Sequence, residues 1–162
     1  MYKWAVRRLV RHNVRALNRG DMGPLLAGYA HEATLVFPGR SSWAGQYRGR
    51  SAIESFLVRF VGVGLVGDVL EILVNGPPWR TSVVVLFADR ACDPEGTVVY
   101  DNRVILYCRV VWGKVIYQED FLDTQKVEAF DEYLDRCNSP AVPAARAGTR
   151  PAAHRESDEP ED

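Results

Sequence analysis

The chain has 162 residues, with 20 Lys or Arg against 21 Asp or Glu, so its formal charge is −1. This length suits one domain with a substantial core. The near-neutral balance argues against nucleic acid as a partner, because phosphate binding usually requires a strong basic excess. Three cysteines, Cys92, Cys108 and Cys137, match no metal-ligand spacing and indicate a reduced, cytoplasmic protein. No apolar run is long enough to span a membrane, so no membrane partner is expected.

The first part of the chain predicts three helices and one strand. Apolar residues at helical spacing indicate a helix over residues 2–18 and a shorter one over residues 22–30, which Asp21 is expected to cap. Residues 33–37 are predicted to form a strand that a Pro-Gly pair stops. A loop rich in Gly, Ser and Arg follows, and a third helix is expected over residues 51–60.

The second part predicts a meander of strands and a last helix. Strands are expected over residues 68–75 and 81–88, and the unbroken run SVVVLFA in the latter predicts burial on both faces. A helix is expected over residues 126–134. Residues 138–162 are rich in Pro, Ala and charge and predict a disordered tail, which leaves residues 1–137 as the domain.

The most informative stretch runs from Tyr100 to Asp123 and predicts a β hairpin whose two-residue loop is Trp112-Gly113. In that register Val111 faces Lys114, Val110 faces Val115, and the residue numbers of every facing pair sum to 225. Alternation then sorts the side chains into an apolar face and a mixed face. The apolar face carries Tyr100, Asn102, Val104, Leu106, Cys108, Val110, Val115, Tyr117, Glu119, Phe121 and Asp123. The mixed face carries Asp101, Arg103, Ile105, Tyr107, Arg109, Ile116, Gln118, Asp120 and Leu122.

Three polar residues stand out on the apolar face. Asn102 is predicted to face Asp123, and Glu119 lies four residues before Asp123 on the same side of the strand. Buried polar groups need partners or a function. Asp123 is therefore a candidate acid/base group oriented by Asn102, or alternatively the N-cap of the following helix. Glu119 either faces the pocket or lies half-exposed at a sheet edge.

The order of elements predicts an α+β fold, in which a curved antiparallel sheet forms a cone with helices on its concave side. Such a cone has an apolar interior open at one end, where a small ligand would bind. The mixed face, with Ile105, Tyr107, Ile116 and Leu122 between charged residues, predicts a homodimer through the outer side of the sheet.

Two motifs carry a family resemblance. The segment GQYRGRSAIESFL and the later pattern YDNR, GKV and DFLD resemble the SnoaL-like branch of the nuclear transport factor 2 and ketosteroid isomerase superfamily, over about residues 1–136. The resemblance implies a cone-shaped α+β barrel, a small-molecule pocket and a homodimer. It also implies reactions such as polyketide ring closure, isomerisation, dehydration or epoxide hydrolysis, while other members bind ligands without catalysis.

The resemblance transfers to individual residues only in part. The strand GKVIYQEDFLD is similar to that of limonene epoxide hydrolases and SnoaL-type cyclases, whose acid/base aspartate would match Asp123. The arginine and second aspartate of the hydrolase site would fall near Ser82 and Val84, so that triad is absent. The ketosteroid isomerase aspartate would match Phe37, which cannot abstract a proton.

The sequence therefore predicts an acid/base isomerase, cyclase or hydrolase for a small apolar substrate of polyketide, terpene or steroid type, without metal or organic cofactor. The alternative is a non-catalytic binding or dimerisation module of the same fold. The candidate catalytic residues are Asp123, Asn102 and Glu119. The candidate substrate-binding residues, which alternatively belong to the core, are Phe37, Trp43, Tyr47, Phe56, Phe60, Tyr100, Val104, Tyr117 and Phe121.

Overall fold

A computed structural model describes residues 1–138 of the chain, as four helices and six strands. In chain order they are α1 (Tyr2–Leu17), α2 (Gly23–Gly28), β1 (Tyr29–Phe37), β2 (Gly45–Arg48), α3 (Arg50–Gly62), β3 (Val66–Asn75), β4 (Thr81–Cys92), β5 (Val98–Val111), β6 (Lys114–Leu122) and α4 (Thr124–Asn138). The predicted disordered tail lies outside the described residues except for Asn138, so the proposed boundary of the domain stays a prediction. Within residues 1–138, no helix is both long and apolar enough to cross a membrane.

The six strands form one curved, unclosed sheet in the order β2-β1-β6-β5-β4-β3. Every neighbouring pair is antiparallel except β1 and β6, which are parallel. The predicted α+β cone is confirmed, but its sheet is mixed rather than wholly antiparallel. The parallel pair arises because the meander from β3 to β6 returns to β1 running in the same direction.

The predicted hairpin is present, with Trp112-Gly113 as its loop, but its register is only partly correct. Val110 faces Val115 as predicted, whereas Arg109 already faces Tyr117, so a β-bulge leaves Ile116 without a facing partner. One extra residue reverses the face on which every later side chain lies. Gln118, Asp120 and Leu122 of β6 therefore point to the concave face, and Tyr117, Glu119 and Phe121 point away from it, opposite to the prediction.

Three other elements differ from their predicted limits. Helix α2 is shorter than predicted, and Asp21 accepts a hydrogen bond from the Gly23 backbone N–H (3.0 Å) from a position before the helix. Strand β2 lies inside the predicted loop, where it pairs with β1. Strand β4 continues to Cys92 and alternates between buried and half-buried residues as far as Asp89. The run SVVVLFA is therefore fully buried on one face and half-buried on the other.

The end of α1 is fixed to the first strand of the meander by a reciprocal pair of hydrogen bonds. The Asn18 side chain donates to the Gly67 carbonyl (2.8 Å) and accepts from the Gly67 N–H (2.9 Å). Gly67 has no room for a side chain, because a Cβ there would lie 1.9 Å from the Phe87 ring. Close backbone contact at Gly67 thus holds α1 across the concave face, where it forms a wall of the interior.

Candidate active site

An apolar cavity of about 180 Å³ lies between the concave face of the sheet and helices α1 and α3. Four of the predicted substrate-binding residues line it: Phe37, Phe56, Phe60 and Val104. The remaining apolar lining comes mainly from α1, β4 and β5, because alternate residues of these strands face inward. These residues are Val6, Leu9, Val10, Val14, Leu17, Leu25, Leu35, Leu57, Val83, Val85, Phe87, Leu106, Cys108, Val110 and Val115.

A buried polar chain crosses the β1–β6 side of this cavity. The Tyr29 hydroxyl donates to Gln118 Oε1 (2.5 Å), and Gln118 Nε2 donates to Asp120 Oδ1 (2.8 Å). Tyr29, Gln118 and Asp120 are all buried, and Asp120 is only 5% exposed. The bulge at Ile116 places Gln118 and Asp120 on the concave face. The chain therefore presents one carboxyl group to an apolar interior and fixes the position of that group.

A second carboxyl group enters the cavity from β4. Asp89 follows Val83, Val85 and Phe87 on the same face of that strand, and all four line the cavity. Asp89 is 7% exposed, and its Oδ1 has no hydrogen-bond partner among the described residues. A buried acceptor without a partner is costly, and in native proteins it commonly marks a functional site.

Burial changes the proton affinity of both carboxyl groups. The pKa of Asp120 is raised to about 7, mainly because burial removes its hydration. The charge of Asp89 adds to this rise, and the hydrogen bond from Gln118 opposes it. The pKa of Asp89 is also raised to about 7 by burial, although the Asp89 backbone N–H opposes the shift, and the charge of Asp101 adds to it. Among the described residues that line the cavity there is no Lys, Arg or His. One of the two groups can therefore hold a proton while the other is ionised near neutral pH.

The opposite wall contributes a third polar side chain. Asn13 lies on α1, is 7% exposed and lines the cavity, and its Oδ1 has no hydrogen-bond partner among the described residues. No group of three or more His, Cys, Asp or Glu within residues 1–138 is placed to hold a metal ion. The arrangement is thus two carboxyl groups and one amide around an apolar space.

Comparison with solved structures places this cavity in a known fold. Bal32a, from a soil-derived mobile gene cassette, is 26% identical, with a TM-score of 0.62 over 78% of this chain and 94% of that chain. A nuclear transport factor 2-like protein from Burkholderia pseudomallei is 19% identical, with a TM-score of 0.62 over 75% of this chain and 92% of that one. SalBIII, described as an epoxide hydrolase/cyclase-like enzyme in pyran ring formation in the polyether salinomycin, is 17% identical, with a TM-score of 0.63 over 76% and 95%.

The chain has the nuclear transport factor 2-like fold. No family model matches its sequence, and neither does any curated protein sequence. The fold implied by the two sequence motifs is therefore confirmed through structural neighbours.

The structure places the three predicted catalytic residues outside the cavity. Asp123 is exposed, and its Oδ1 accepts hydrogen bonds from the backbone N–H groups of Gln125 (3.0 Å) and Lys126 (3.4 Å) at the start of α4. This is the capping geometry that the sequence left open as the alternative. Asn102 is buried on the concave face but donates to the Asp123 carbonyl (2.9 Å) rather than to its carboxylate. Glu119 accepts from the Tyr117 hydroxyl (2.7 Å) on the convex face.

The predicted aromatic lining is also divided. Trp43 and Tyr100 belong to the main core cluster, and the partly buried Tyr47 packs against it. Tyr100 stacks on Phe130 of α4 with ring centroids 4.7 Å apart. Tyr117 and Phe121 point to the convex face because of the bulge, and Phe121 is 50% exposed. The predicted aromatic residues therefore divide between the cavity lining, the core and the convex face.

Sequence reasoning missed five polar residues of the cavity: Asn13, Tyr29, Asp89, Gln118 and Asp120. A signal for Asp89 was available, because the alternating pattern of Val83, Val85 and Phe87 continues to it. Asp120 carried no comparable signal, since its face depends on the bulge at Ile116, and nothing in that β-branched segment marks a bulge.

Proposed function

We propose that this chain is a SnoaL-like, cofactor-independent acid/base enzyme that acts on a small, largely apolar substrate as a cyclase, isomerase or hydrolase. The observation that carries the proposal is a pair of buried carboxyl groups, Asp89 and Asp120, facing an apolar cavity that has no cation among its described lining residues. Pairs of titratable groups with pKa values near the working pH are typical of general acid/base sites.

The two carboxyl groups can divide the proton transfers of one substitution step between them. The ionised carboxylate removes a proton from a hydroxyl group, the hydroxyl oxygen forms a bond to carbon, and the bond from that carbon to a leaving oxygen breaks. The protonated carboxyl group donates its proton to the leaving oxygen. An epoxide opened in this way by a hydroxyl of the same molecule gives a ring, and one opened by water gives a diol. Protons and electrons balance without a redox partner, and the two carboxyl groups exchange roles.

Two features support this reaction type and substrate size. The cavity of about 180 Å³ is below the ~300–1,000 Å³ typical of sites for drug-sized ligands, which favours a compact, monoterpene-sized molecule. The structural neighbour SalBIII is described as an epoxide hydrolase/cyclase-like enzyme, which makes epoxide opening a suitable first test.

The test is conversion of the epoxide of linalool, a compact apolar molecule that carries both a hydroxyl group and an epoxide. Its cyclisation gives cyclic ethers and its hydrolysis gives a triol, so gas chromatography separates the two reactions. Turnover that depends on Asp120 supports the enzyme. If the protein binds such epoxides but converts none of them, the result supports the binding-module alternative instead.

We also propose that the domain forms a homodimer through the convex face of the sheet. Ile105 and Phe121, on the neighbouring strands β5 and β6, are 44% and 50% exposed there. Leu122 and Asp120, which the sequence placed on this face, lie on the concave side, and Phe121 takes the place of Leu122. An apolar sheet face flanked by Arg103 is suited to pairing with a second copy.

Replacement of Phe121 by Glu should convert this dimer to a monomer, because a charge would be buried at the centre of the apolar face. Light scattering coupled to size-exclusion chromatography at micromolar concentration measures the mass directly. Val58→Glu is the matched control, since Val58 is similarly exposed (52%) on α3, and it should leave the dimer intact. A monomeric wild-type protein would contradict the proposed interface.

A further inference from the structure

We infer that the ligand of this cavity carries hydroxyl or N–H donors on an apolar skeleton, and that the site selects an alcohol over the corresponding ketone. The inference rests on the proposed function only in placing the substrate in this cavity. It concerns the hydrogen-bonding class of the ligand, which the cavity's acceptors and donors decide.

Two donors on the β1–β6 side of the cavity are already used within the protein. The Tyr29 hydroxyl donates to Gln118 Oε1, and the Cys108 thiol contacts the same oxygen at 3.8 Å. Gln118 Nε2 donates to Asp120 Oδ1. This chain fixes the orientation of the Gln118 amide and commits one of its N–H groups to Asp120.

The acceptors that remain lie on opposite walls of the cavity. Asp89 Oδ1 on β4 and Asn13 Oδ1 on α1 are both buried and have no partner among the described residues. Each side chain is more than nine-tenths buried and lines the cavity. A ligand that spans the cavity can satisfy both atoms only by bringing a donor to each.

An unsatisfied acceptor in a dry site discriminates strongly between ligands. A site built to bond a substrate hydroxyl rejects the analogue that lacks it, because the protein group is then left without a partner. Bonds to a charged acceptor are the stronger ones, so Asp89 should contribute more than Asn13. A ketone brings only another acceptor to these two atoms. The same hydroxyl that Asp89 binds is also the group that an acid/base enzyme would deprotonate.

Menthol, menthone and the diol of p-menthane form a matched set of probes with one skeleton. Binding is measured by displacement of a hydrophobic fluorophore at about pH 8.5, where Asp89 is ionised as an acceptor only. Burial raises the pKa of Asp89 to about 7, and the charge of Asp101 on β5 adds to the rise. Asp89 also borders a second depression, whose charged residues are Asp68, Arg90, Asp101, Arg103, Asp123 and Lys126. Menthol should bind about 10-fold or more tightly than menthone, and the diol more tightly than menthol.

Two variants on opposite walls test each acceptor separately. Asp89→Asn can donate as well as accept, so it should lose the preference for menthol over menthone. Asn13→Leu should keep that preference and lose the advantage of the diol over menthol. Asp123→Asn, at the exposed cap of α4, is the control and should bind all three probes as the wild type does.

The outcomes separate this inference from the proposed function. A wild-type protein that binds menthone as tightly as menthol overturns the inference whatever its activity. Failure of all three probes to bind overturns both the inference and the placement of the substrate in this cavity. Selective binding of menthol together with full turnover in the Asp120→Asn variant supports the inference and contradicts the proposed function.

Discussion

The Asp120→Asn variant is expected to fold, to bind ligand and to lose turnover by about 10²-fold or more. Asparagine keeps the shape of the side chain, and its Oδ1 can still accept the hydrogen bond from Gln118 Nε2. It cannot take up or release a proton, so the acid/base exchange with Asp89 stops. The measurement is initial-rate conversion of the linalool epoxide, with fluorophore displacement by menthol as the check on ligand binding.

The matched control for this prediction is Asp123→Asn, three residues later. Asp123 caps α4 from an exposed position, and asparagine is also a good N-cap, so turnover should stay within about twofold of the wild type. If instead Asp123→Asn abolished turnover and Asp120→Asn did not, the assignment made from the sequence register would be right and the bulge-shifted site would be wrong.

The wild-type protein is also expected to become less stable as pH rises from about 4 to about 7. The pKa values of Asp89 and Asp120 are raised from 3.8 to about 7 in the folded state, so in this window the folded protein binds more protons than the unfolded chain. The stabilisation is complete below the unfolded pKa and is lost as pH passes the folded one. A shift of about three pKa units in one group corresponds to at most about 4 kcal/mol.

Urea unfolding at about pH 5 and about pH 8 measures this loss. The Asp120→Asn variant should lose much of the difference between the two pH values and should be more stable than the wild type at the higher one, by up to a few kcal/mol. Asp123→Asn should keep the wild-type pH dependence, since its side chain is exposed. A free energy of unfolding that rises from pH 5 to pH 8 in the wild type would show that the two buried carboxyl groups ionise without cost.

The sequence predicted the general architecture because that depends on local patterns. The periodicity of α1 gave its limits to within one residue, and Trp112-Gly113 was correctly identified as the hairpin loop. The short strand β2 was missed, since Gly45–Arg48 has no apolar alternation and exists only because β1 offers it an edge. Tertiary pairing, rather than propensity, decides such a strand.

The site could not be predicted because it depends on one irregular residue. Without the bulge at Ile116, Glu119 and Asp123 would face inward, as the register of the two-residue loop required. With it, Gln118 and Asp120 face inward and Asp123 is free to cap α4. The polar partners of Asp120 lie far away in the chain, since Tyr29 is 89 residues from Gln118, and no local pattern reports such a contact.

The proposed reaction requires that Asp89 and Asp120 can hold opposite protonation states near neutral pH. Carbon-13 NMR titration of the aspartate side-chain carboxyl groups tests it directly in the intact protein, with Asp89→Asn and Asp120→Asn assigning the signals. The structure predicts two carboxyl groups that titrate near pH 7, one of which disappears in each variant. If every aspartate titrated below about pH 5, both groups would be ionised at neutral pH, and a protonated acid for the proposed reaction would be lacking.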